Sequence, residues 1–415
     1  MLIRFSFKNF KSFKNENCLD MEATSLKEHA YNVAKVDNGE YLKVSAIYGA
    51  NASGKTNVLR AFDFMRLKVL IDNKMRENLI REDKNFNSYM MNPEPIGLEV
   101  EILAKNNEIY KYGFEVIKDK VISEWLYKKR KNTFYEIFER TNNNVTVKTK
   151  NKPNEFQNID ENSLFLNMYS RMYTDNEDFK NVFNWFTNTN FLDLGNSAFE
   201  GFISQIVRPN LLSKLLGDIT YKKELLKFIN AFDPAIKDIK ITPDRMEKVQ
   251  ETKDIKMELV HEDENNETML LPLELESSGT VKMINMFDFL LNTLKNGMVL
   301  FVDELDAKLH PLLTRYIINL FHNSDTNKGN GQLIYSTHDT VNLNKETFRR
   351  DEIWFAEKDK DGISEIYALS DYILEDDKNA GKKVRNDATY NKDYLTGRYG
   401  AIPVLEEFDI DYEKQ

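Results

Sequence analysis

Cysteine is almost absent from this chain: of 415 residues, only Cys18 carries a thiol. A single thiol excludes a disulfide scaffold and any metal site built from cysteines alone. Long apolar runs are also missing, and none reaches the roughly eighteen residues that a membrane-spanning helix needs. The first ten residues contain no apolar segment of the secretory type. We therefore expect a soluble protein of the reducing cytoplasm, without a membrane partner.

The chain also lacks an excess of positive charge. It carries 57 Lys and Arg against 67 Asp and Glu, a formal net charge of −10. Non-specific coating of DNA favours the opposite balance, although a local basic groove stays compatible with this one. Apolar residues, in contrast, make up 41% of the chain, including 27 Phe and 19 Tyr, which excludes a disordered protein.

Hydrophobic periodicity changes twice along the chain. Apolar and polar residues alternate near the N-terminus and over 97–128, which predicts strands, the second group as an antiparallel meander. Helical periodicity then dominates, until strand patterns return near residue 236. We predict an α/β fold with a mixed-sheet core and expect the helical insertion to form a separate lobe. The predicted units are 1–154, the first half of the core with the β-meander; 155–235, the helical insertion; 236–375, the second half of the core; and 376–415, a C-terminal tail.

The strongest motif is Gly49-Ala-Asn-Ala-Ser-Gly54-Lys55-Thr56, which fits the phosphate-binding loop (P-loop) pattern in full. A predicted strand precedes it and a predicted helix follows, so an ordinary glycine turn is a poor explanation. Backbone N–H groups of such a loop face a phosphate, and the helix N-terminus adds its positive dipole end. The pattern predicts bound ATP, with Lys55 on the β- and γ-phosphates and Thr56 on Mg²⁺. The predicted nucleotide-binding residues of this segment are Asn51, Ala52, Ser53, Gly54, Lys55, Thr56 and Asn57.

Two acidic residues follow the apolar run Met298-Val-Leu-Phe-Val302. A buried parallel strand that ends in acids is the expected partner of a P-loop. Asp303 would hold Mg²⁺, and Glu304 would act as the catalytic base that polarises the attacking water. Alone, the pair would be weak evidence, because strands often end in charged turns.

Two further segments become informative beside these motifs. His338 follows the strand pattern of 332–335, at the sheet edge where ligands bind in open α/β sheets, and could sense the γ-phosphate as a catalytic residue. The alternative is an ordinary loop histidine. Ser277, Ser278 and Gly279 begin a predicted helix, which offers hydroxyl and N–H groups to an anion or simply caps the helix.

Together these residues resemble the head ATPases of the ATP-binding-cassette (ABC) type, the group that contains SMC proteins, RecF and the OLD-family ATPases. The opening Lys8-Asn-Phe-Lys11-Ser12-Phe13 is similar to that group's first strand and turn, whose basic residue and serine approach the nucleotide. Ser277-Ser278-Gly279 matches the signature sequence, although the commoner form is Ser-Gly-Gly. Asp306 lies in the segment that resembles the loop touching the dimer partner, and Gln157 is a candidate for the glutamine loop, with a solvated residue as the alternative.

This resemblance implies a Mg²⁺-dependent ATPase that closes as a head-to-tail homodimer, or a higher homo-oligomer, around ATP. The stretches 110–115 and 122–127 and the ending Tyr394-Leu-Thr-Gly-Arg-Tyr-Gly-Ala-Ile-Pro403 look like those of RloA-like, abortive-infection ATPases of phage-defence systems. Such a resemblance implies a separate effector protein, a nuclease or another toxin. The main alternative is a RecF-like DNA-repair ATPase that acts on nucleic acid directly. A transporter subunit and a self-contained nuclease fit less well, because the signature is atypical and clustered acids outside the ATP site are missing.

Overall fold

The computed structural model describes residues 1–71, 87–148, 154–173, 176–243, 255–374, 381–385 and 387–403. The strands are β1 (Leu2–Lys8), β2 (Asn17–Asp20), β3 (Val33–Val36), β4 (Gly39–Leu42), β5 (Val44–Tyr48), β6 (Ile96–Leu103), β7 (Ile109–Ile117), β8 (Lys120–Arg130), β9 (Thr133–Thr141), β10 (Asn144–Val147), β11 (Asn154–Phe156), β12 (Thr189–Asp193), β13 (Ile236–Pro243), β14 (Ile255–Glu262), β15 (Thr268–Pro272), β16 (Val299–Asp303), β17 (Gln332–Ser336), β18 (Ile353–Lys358) and β19 (Ser364–Ala368). The helices are α1 (Lys55–Leu70), α2 (Phe165–Met172), α3 (Glu177–Thr187), α4 (Ser197–Gly217), α5 (Ile219–Asn230), α6 (Ser278–Asn296), α7 (Pro311–His322) and α8 (Tyr390–Leu395).

A six-stranded sheet in the order β12-β16-β17-β5-β18-β19 forms the centre of the molecule. Its first five strands are parallel, and β19 pairs antiparallel with β18. Every residue of β5, β16 and β17 is buried, which explains why these segments read as continuous apolar runs rather than alternating ones. Because the strands are parallel, the loops that follow β5, β12, β16 and β17 meet at one edge. The prediction of an α/β fold with a mixed-sheet core is confirmed.

An eight-stranded antiparallel sheet, in the order β11-β10-β9-β8-β7-β6-β1-β2, covers one side of α1. Phe5 of β1 meets Phe62 of α1 edge to face, with 5.5 Å between ring centroids. On its other side, α1 stacks Phe62 on Phe301 of β16, at 3.8 Å. The antiparallel β-subdomain is therefore present as predicted, and α1 is held between the two sheets. A three-stranded sheet, β13-β14-β15, leads into α6.

The segment 155–235 does not form the separate helical lobe that the sequence predicts. It contains β12, which pairs with β16 and forms an edge of the central sheet. Its helices also pack into the body of the protein: Phe165 and Phe179 share a core with α1, whereas Leu225 shares one with β17. The five residues of β12 are too few for alternation to be visible between long helical patterns. The separate-lobe expectation was wrong, while the boundaries of the units stay predictions.

A buried ion pair ties α2 to the eight-stranded sheet. Glu124 of β8 and Arg140 of β9 are both fully buried, with 3.7 Å between Oε2 and Nη1. The Glu124 carboxylate also accepts hydrogen bonds from the backbone N–H groups of Phe165 and Leu166, at 2.7 and 2.9 Å. Burial raises the pKa of Glu124, and the nearby guanidinium opposes that rise. The carboxylate thus caps the first turn of α2 from another element.

We expect Glu124→Gln to destabilise the protein by about 3–5 kcal/mol, because the Arg140 charge would stay buried without its counter-ion. The measurement is the free energy of unfolding in urea. Glu161→Gln is the matched control, since its ion pair with Lys120 is exposed and should contribute less than about 1 kcal/mol. Equal effects of the two substitutions would contradict this account of the buried pair.

Candidate functional site

The P-loop connects β5 to α1 and packs closely against β18 and β19. Gly49 has φ 154° and Gly54 has φ 117°. A Cβ at Gly49 would collide with the Ala356 carbonyl oxygen and the Ser53 hydroxyl, and one at Gly54 would lie 2.9 Å from Ser364 Oγ. No side chain caps α1 at Gly54, and its first turn contains no acid. The first N–H groups of the helix are therefore available to an anion.

Lys55 lies folded back over this loop. Its Nζ donates hydrogen bonds to the carbonyl oxygens of Gly49 and Ala50, both at 2.9 Å. The side chain is buried, and burial lowers the pKa of Lys55 to about 8, while the carboxylates of Asp303, Glu304 and Asp306 oppose that shift. The acceptors of the ammonium are neutral carbonyl oxygens, so a negatively charged phosphate would be a stronger partner for it.

Three side chains meet where β16 and β17 end. Thr56 Oγ1 donates to Asp303 Oδ1 at 3.2 Å, and the Ser336 hydroxyl donates to the same carboxylate oxygen. Burial raises the pKa of Asp303, and these two hydrogen bonds oppose the shift. A threonine hydroxyl and a carboxylate side by side are hard oxygen donors of the kind that Mg²⁺ takes in phosphate sites. The residues present therefore fit the predicted metal.

Glu304 follows directly in an unusual backbone conformation, with φ 53°. Its N–H donates to Ser336 Oγ at 2.8 Å, so one serine orients both acids of the pair. Against the Glu304 carboxylate lies Gly195, where an added Cβ would collide with Oε2. The carboxylate thus has a defined position beside the P-loop, and this position depends on a residue without a side chain.

His338 and Asp306 lie on adjacent loops at the same edge. The backbone N–H of His338 donates hydrogen bonds to both carboxylate oxygens of Asp306, at 3.3 Å each. Burial and the nearby charge of Lys55 lower the pKa of the His338 imidazole, while Asp306 and Glu304 oppose this. The neutral imidazole is therefore the expected form near pH 7.

The N-terminal turn reaches the P-loop as well. Asn57 Nδ2 donates to Ser12 Oγ at 2.9 Å, and the Ser12 carbonyl oxygen accepts from the Ser364 N–H at 2.8 Å. Lys11 has φ 51°, in the turn between β1 and β2. The structure therefore brings the predicted residues Lys11 and Ser12 beside the start of α1. Within the P-loop itself, Asn51 and Ala52 are exposed, and the Ser53 hydroxyl is buried with no hydrogen bond to any residue the structure describes.

The signature residues lie at a different place, the N-terminus of α6. Ser277 caps that helix by accepting the Thr280 N–H at 3.1 Å. Ser277 and Ser278 are exposed, and Gly279 has room for a side chain. Within the described part of one chain, no hydrogen bond joins these residues to the P-loop. Gln157 is exposed just beyond β11, an edge strand of the eight-stranded sheet, as the alternative of a solvated residue predicts.

Sequence reasoning missed Asp193, at the end of β12. In the register of the parallel pair, Asp193 lies opposite Asp303. Its buried carboxylate forms an ion pair with Arg60 of α1, whose guanidinium also lies over the Phe191 ring at 5.2 Å. The signal was present as Phe191-Leu-Asp193, an apolar pair ending in an acid, but it is shorter than the comparable run before Asp303.

Comparison with known proteins agrees with this geometry. Residues 44–344, more than half of the chain, match the profile of a protein family described as "AAA domain, putative AbiEii toxin, Type IV TA system". The chain belongs to this family. No curated protein matches. Membership in this family confirms the resemblance to ATPases that the motifs of this AAA-domain protein predicted. The finer resemblance to RloA-like ATPases stays a prediction.

Solved structures similar to this AAA-domain protein share little of its sequence. An Smc head bound to the C-winged helix domain of ScpA is 12% identical, with TM-score 0.49, over 88% of this chain and 97% of that one. The Smc head of Pyrococcus furiosus with an extended coiled coil, bound to the C-terminal domain of ScpA, is 11% identical, with TM-score 0.43, over 89% and 96%. RecF with ATP is 13% identical, with TM-score 0.35, over 88% and 97%. In the described residues of the AAA-domain protein, no helix is long and apolar enough to cross a membrane.

Proposed function

We propose that this AAA-domain protein is the Mg²⁺-dependent ATPase subunit of a phage-defence system of the abortive-infection type, and that it controls a separate effector. One observation carries the ATPase part of the proposal. Lys55, Thr56, Asp303, Glu304 and His338, which come from three separate parts of the sequence, lie at the edge of the central sheet where the parallel strands β5, β16 and β17 end. Phosphoryl transfer depends mainly on positioning and charge stabilisation, and these side chains supply both.

In the proposed site, Thr56 and Asp303 would hold Mg²⁺, which would supply positive charge to stabilise the phosphates during transfer. Lys55 leaves the carbonyl oxygens of Gly49 and Ala50 and neutralises the β- and γ-phosphates. Glu304 accepts a hydrogen bond from the attacking water, and His338 contacts the γ-phosphate as a neutral donor. The Ser336 hydroxyl holds both acids in place.

We propose further that ATP is shared between two copies of the chain. Ser278 lies exposed and Gly279 half-buried at the N-terminus of α6, which offers N–H groups. Among the described residues, neither forms a hydrogen bond to the P-loop of its own chain. A second copy, arranged head to tail, would bring these groups to the γ-phosphate and close the site from the open side. Assembly and hydrolysis would then be coupled, so that ATP acts as a clamp that hydrolysis releases.

Direct action on DNA is the alternative, and the distribution of charge disfavours it. The basic run 128–131 continues β8 into a turn, and two of its four cations lie beside carboxylates. Lys128 pairs with Asp178 at 3.1 Å, and Lys129 lies 3.7 Å from Glu101. A surface that binds the phosphate backbone needs cations that are not already paired with carboxylates.

The test of the defence role is a plaque assay in a sensitive host that expresses this gene together with its neighbouring genes. We expect wild-type protein to reduce plaque formation and Lys55→Ala to restore it. Lys35→Ala, which removes an exposed lysine paired with Glu40, is the control that should behave like wild type. Plaque numbers with the wild-type protein as high as those with Lys55→Ala and those in a host without these genes would contradict the defence role and would favour DNA repair as the next function to test.

A further inference from the structure

The loop 194–196, which follows β12, lies between the acid pair and α6. Its first residue is tied to the acid strand, because the Leu194 N–H donates to the Asp303 carbonyl oxygen at 3.0 Å. Its second residue, Gly195, borders the Glu304 carboxylate so closely that a Cβ would collide with it. The position of this loop therefore limits where the Glu304 carboxylate can lie.

Lys282 of α6 holds the same loop from the other side. Its Nζ donates to the Leu194 carbonyl oxygen at 3.2 Å and to the Ala307 carbonyl oxygen. Lys282 is only 5% exposed, and burying an ammonium is costly unless it is well hydrogen-bonded. Ala307 lies in the turn after Glu304, so Lys282 connects one helix to the chain segments on both sides of the Glu304 carboxylate.

We propose that Lys282 and the loop 194–196 are positioning elements that couple the N-terminus of α6 to Glu304. This inference rests on the proposed function, in which Glu304 acts on the ATP of its own chain and Ser278 acts on the ATP of a second copy. Since Lys282 lies one helical turn after Ser278, contact between the second copy's γ-phosphate and α6 moves the lysine and, with it, the loop that holds Glu304. In each copy, the position of Glu304 thus depends on whether α6 of the same copy contacts a nucleotide bound by the second copy.

Lys282→Met tests the coupling, because it keeps the length of the side chain and removes the hydrogen bonds. We expect kcat to fall by about 10- to 100-fold, since misplacing a catalytic group by about 1 Å has effects of this size. The KM for ATP should stay within about twofold, because no P-loop contact changes. Lys295→Met is the matched control: it lies on the same helix, is exposed and pairs with Glu224, and it should hydrolyse ATP like wild type.

Gly195→Ala provides a second test that does not depend on Lys282. The added methyl group displaces the Glu304 carboxylate, so kcat should again fall without a matching rise in KM. The double variant should be no slower than the slower single variant, because both act through one loop. If Lys282→Met fails to fold, the kcat and KM of Gly195→Ala decide the question.

The outcomes separate this inference from the function on which it rests. Glu304→Gln with wild-type hydrolysis would overturn the proposed catalytic base itself. Loss of hydrolysis in Glu304→Gln, together with wild-type kcat in Lys282→Met or in Gly195→Ala, would overturn the coupling alone. A rise in KM at unchanged kcat in either variant would also overturn it, because the elements would then act on binding.

Discussion

Lys55→Ala is expected to abolish ATP binding while the protein stays folded. The ammonium now donates to two loop carbonyl oxygens, at 2.9 Å each, in a site where burial lowers its pKa to about 8. Removal of the ammonium loses these bonds but also removes the cost of burying its charge, so the free energy of unfolding should change by only about 1 kcal/mol. Against a triphosphate the same ammonium makes charge-assisted bonds of about 1.5–3 kcal/mol each. Two such bonds correspond to an increase in Kd of at least about 100-fold.

The measurement for Lys55→Ala is a calorimetric titration with ATP and Mg²⁺, run beside thermal unfolding of the same preparation. Lys35→Ala serves as the control for loss of a lysine charge, because Lys35 lies on β3 and is exposed. Wild-type affinity in Lys55→Ala would show that this loop does not bind the nucleotide. Loss of binding together with a collapse of the unfolding temperature would instead assign Lys55 a structural role.

Glu304→Gln is expected to bind ATP normally and to hydrolyse it about 10²- to 10⁴-fold more slowly, the usual contribution of a positioned general base. The amide has the shape of the carboxylate but not its basicity. The Glu304 backbone N–H would keep its hydrogen bond to Ser336, so the fold of the loop should not change. In the proposed dimer the signature residues would still contact the γ-phosphate, so the variant should accumulate as a closed dimer in the presence of ATP.

Asp303→Asn is the informative comparison for Glu304→Gln. Its side chain would still accept hydrogen bonds from Thr56 and Ser336, but it would lose the charge that we propose holds Mg²⁺. We expect weaker closure as well as slow turnover. Size-exclusion chromatography with ATP and Mg²⁺, beside a phosphate-release assay, distinguishes the two variants. If neither the wild type nor Glu304→Gln changes size with ATP, the clamp is the wrong mechanism.

The central sheet was largely predictable, because buried parallel strands leave continuous apolar runs that are visible in the sequence. The runs at β5 and β16 end in chemically specific residues, and this made the P-loop and the acid pair recognisable without any structure. β12 was missed because an edge strand of five residues, placed between long helical patterns, leaves no periodicity of its own. The expectation of a separate lobe failed for the same reason.

The site was predictable wherever its chemistry follows from residue type and spacing, as at Lys55 and Thr56. Contacts that depend on tertiary geometry could not be read from the sequence. Lys282 looks like any lysine of an amphipathic helix, and only the fold reveals that it is buried against two carbonyl oxygens. Gly195 is equally ordinary in sequence, because its importance comes from a carboxylate more than a hundred residues away.

The strand order of the central sheet has a consequence for synthesis of the protein on the ribosome. β5, which carries the P-loop, pairs with β17 on one side and with β18 on the other. Roughly 280 residues separate β5 from β17, so at about 5–20 residues per second the nascent P-loop strand waits ~15–60 s for its neighbours. The emerging chain therefore cannot respond to cellular ATP until most of it has been translated. A truncated translation product would carry the whole P-loop sequence and still lack the pocket.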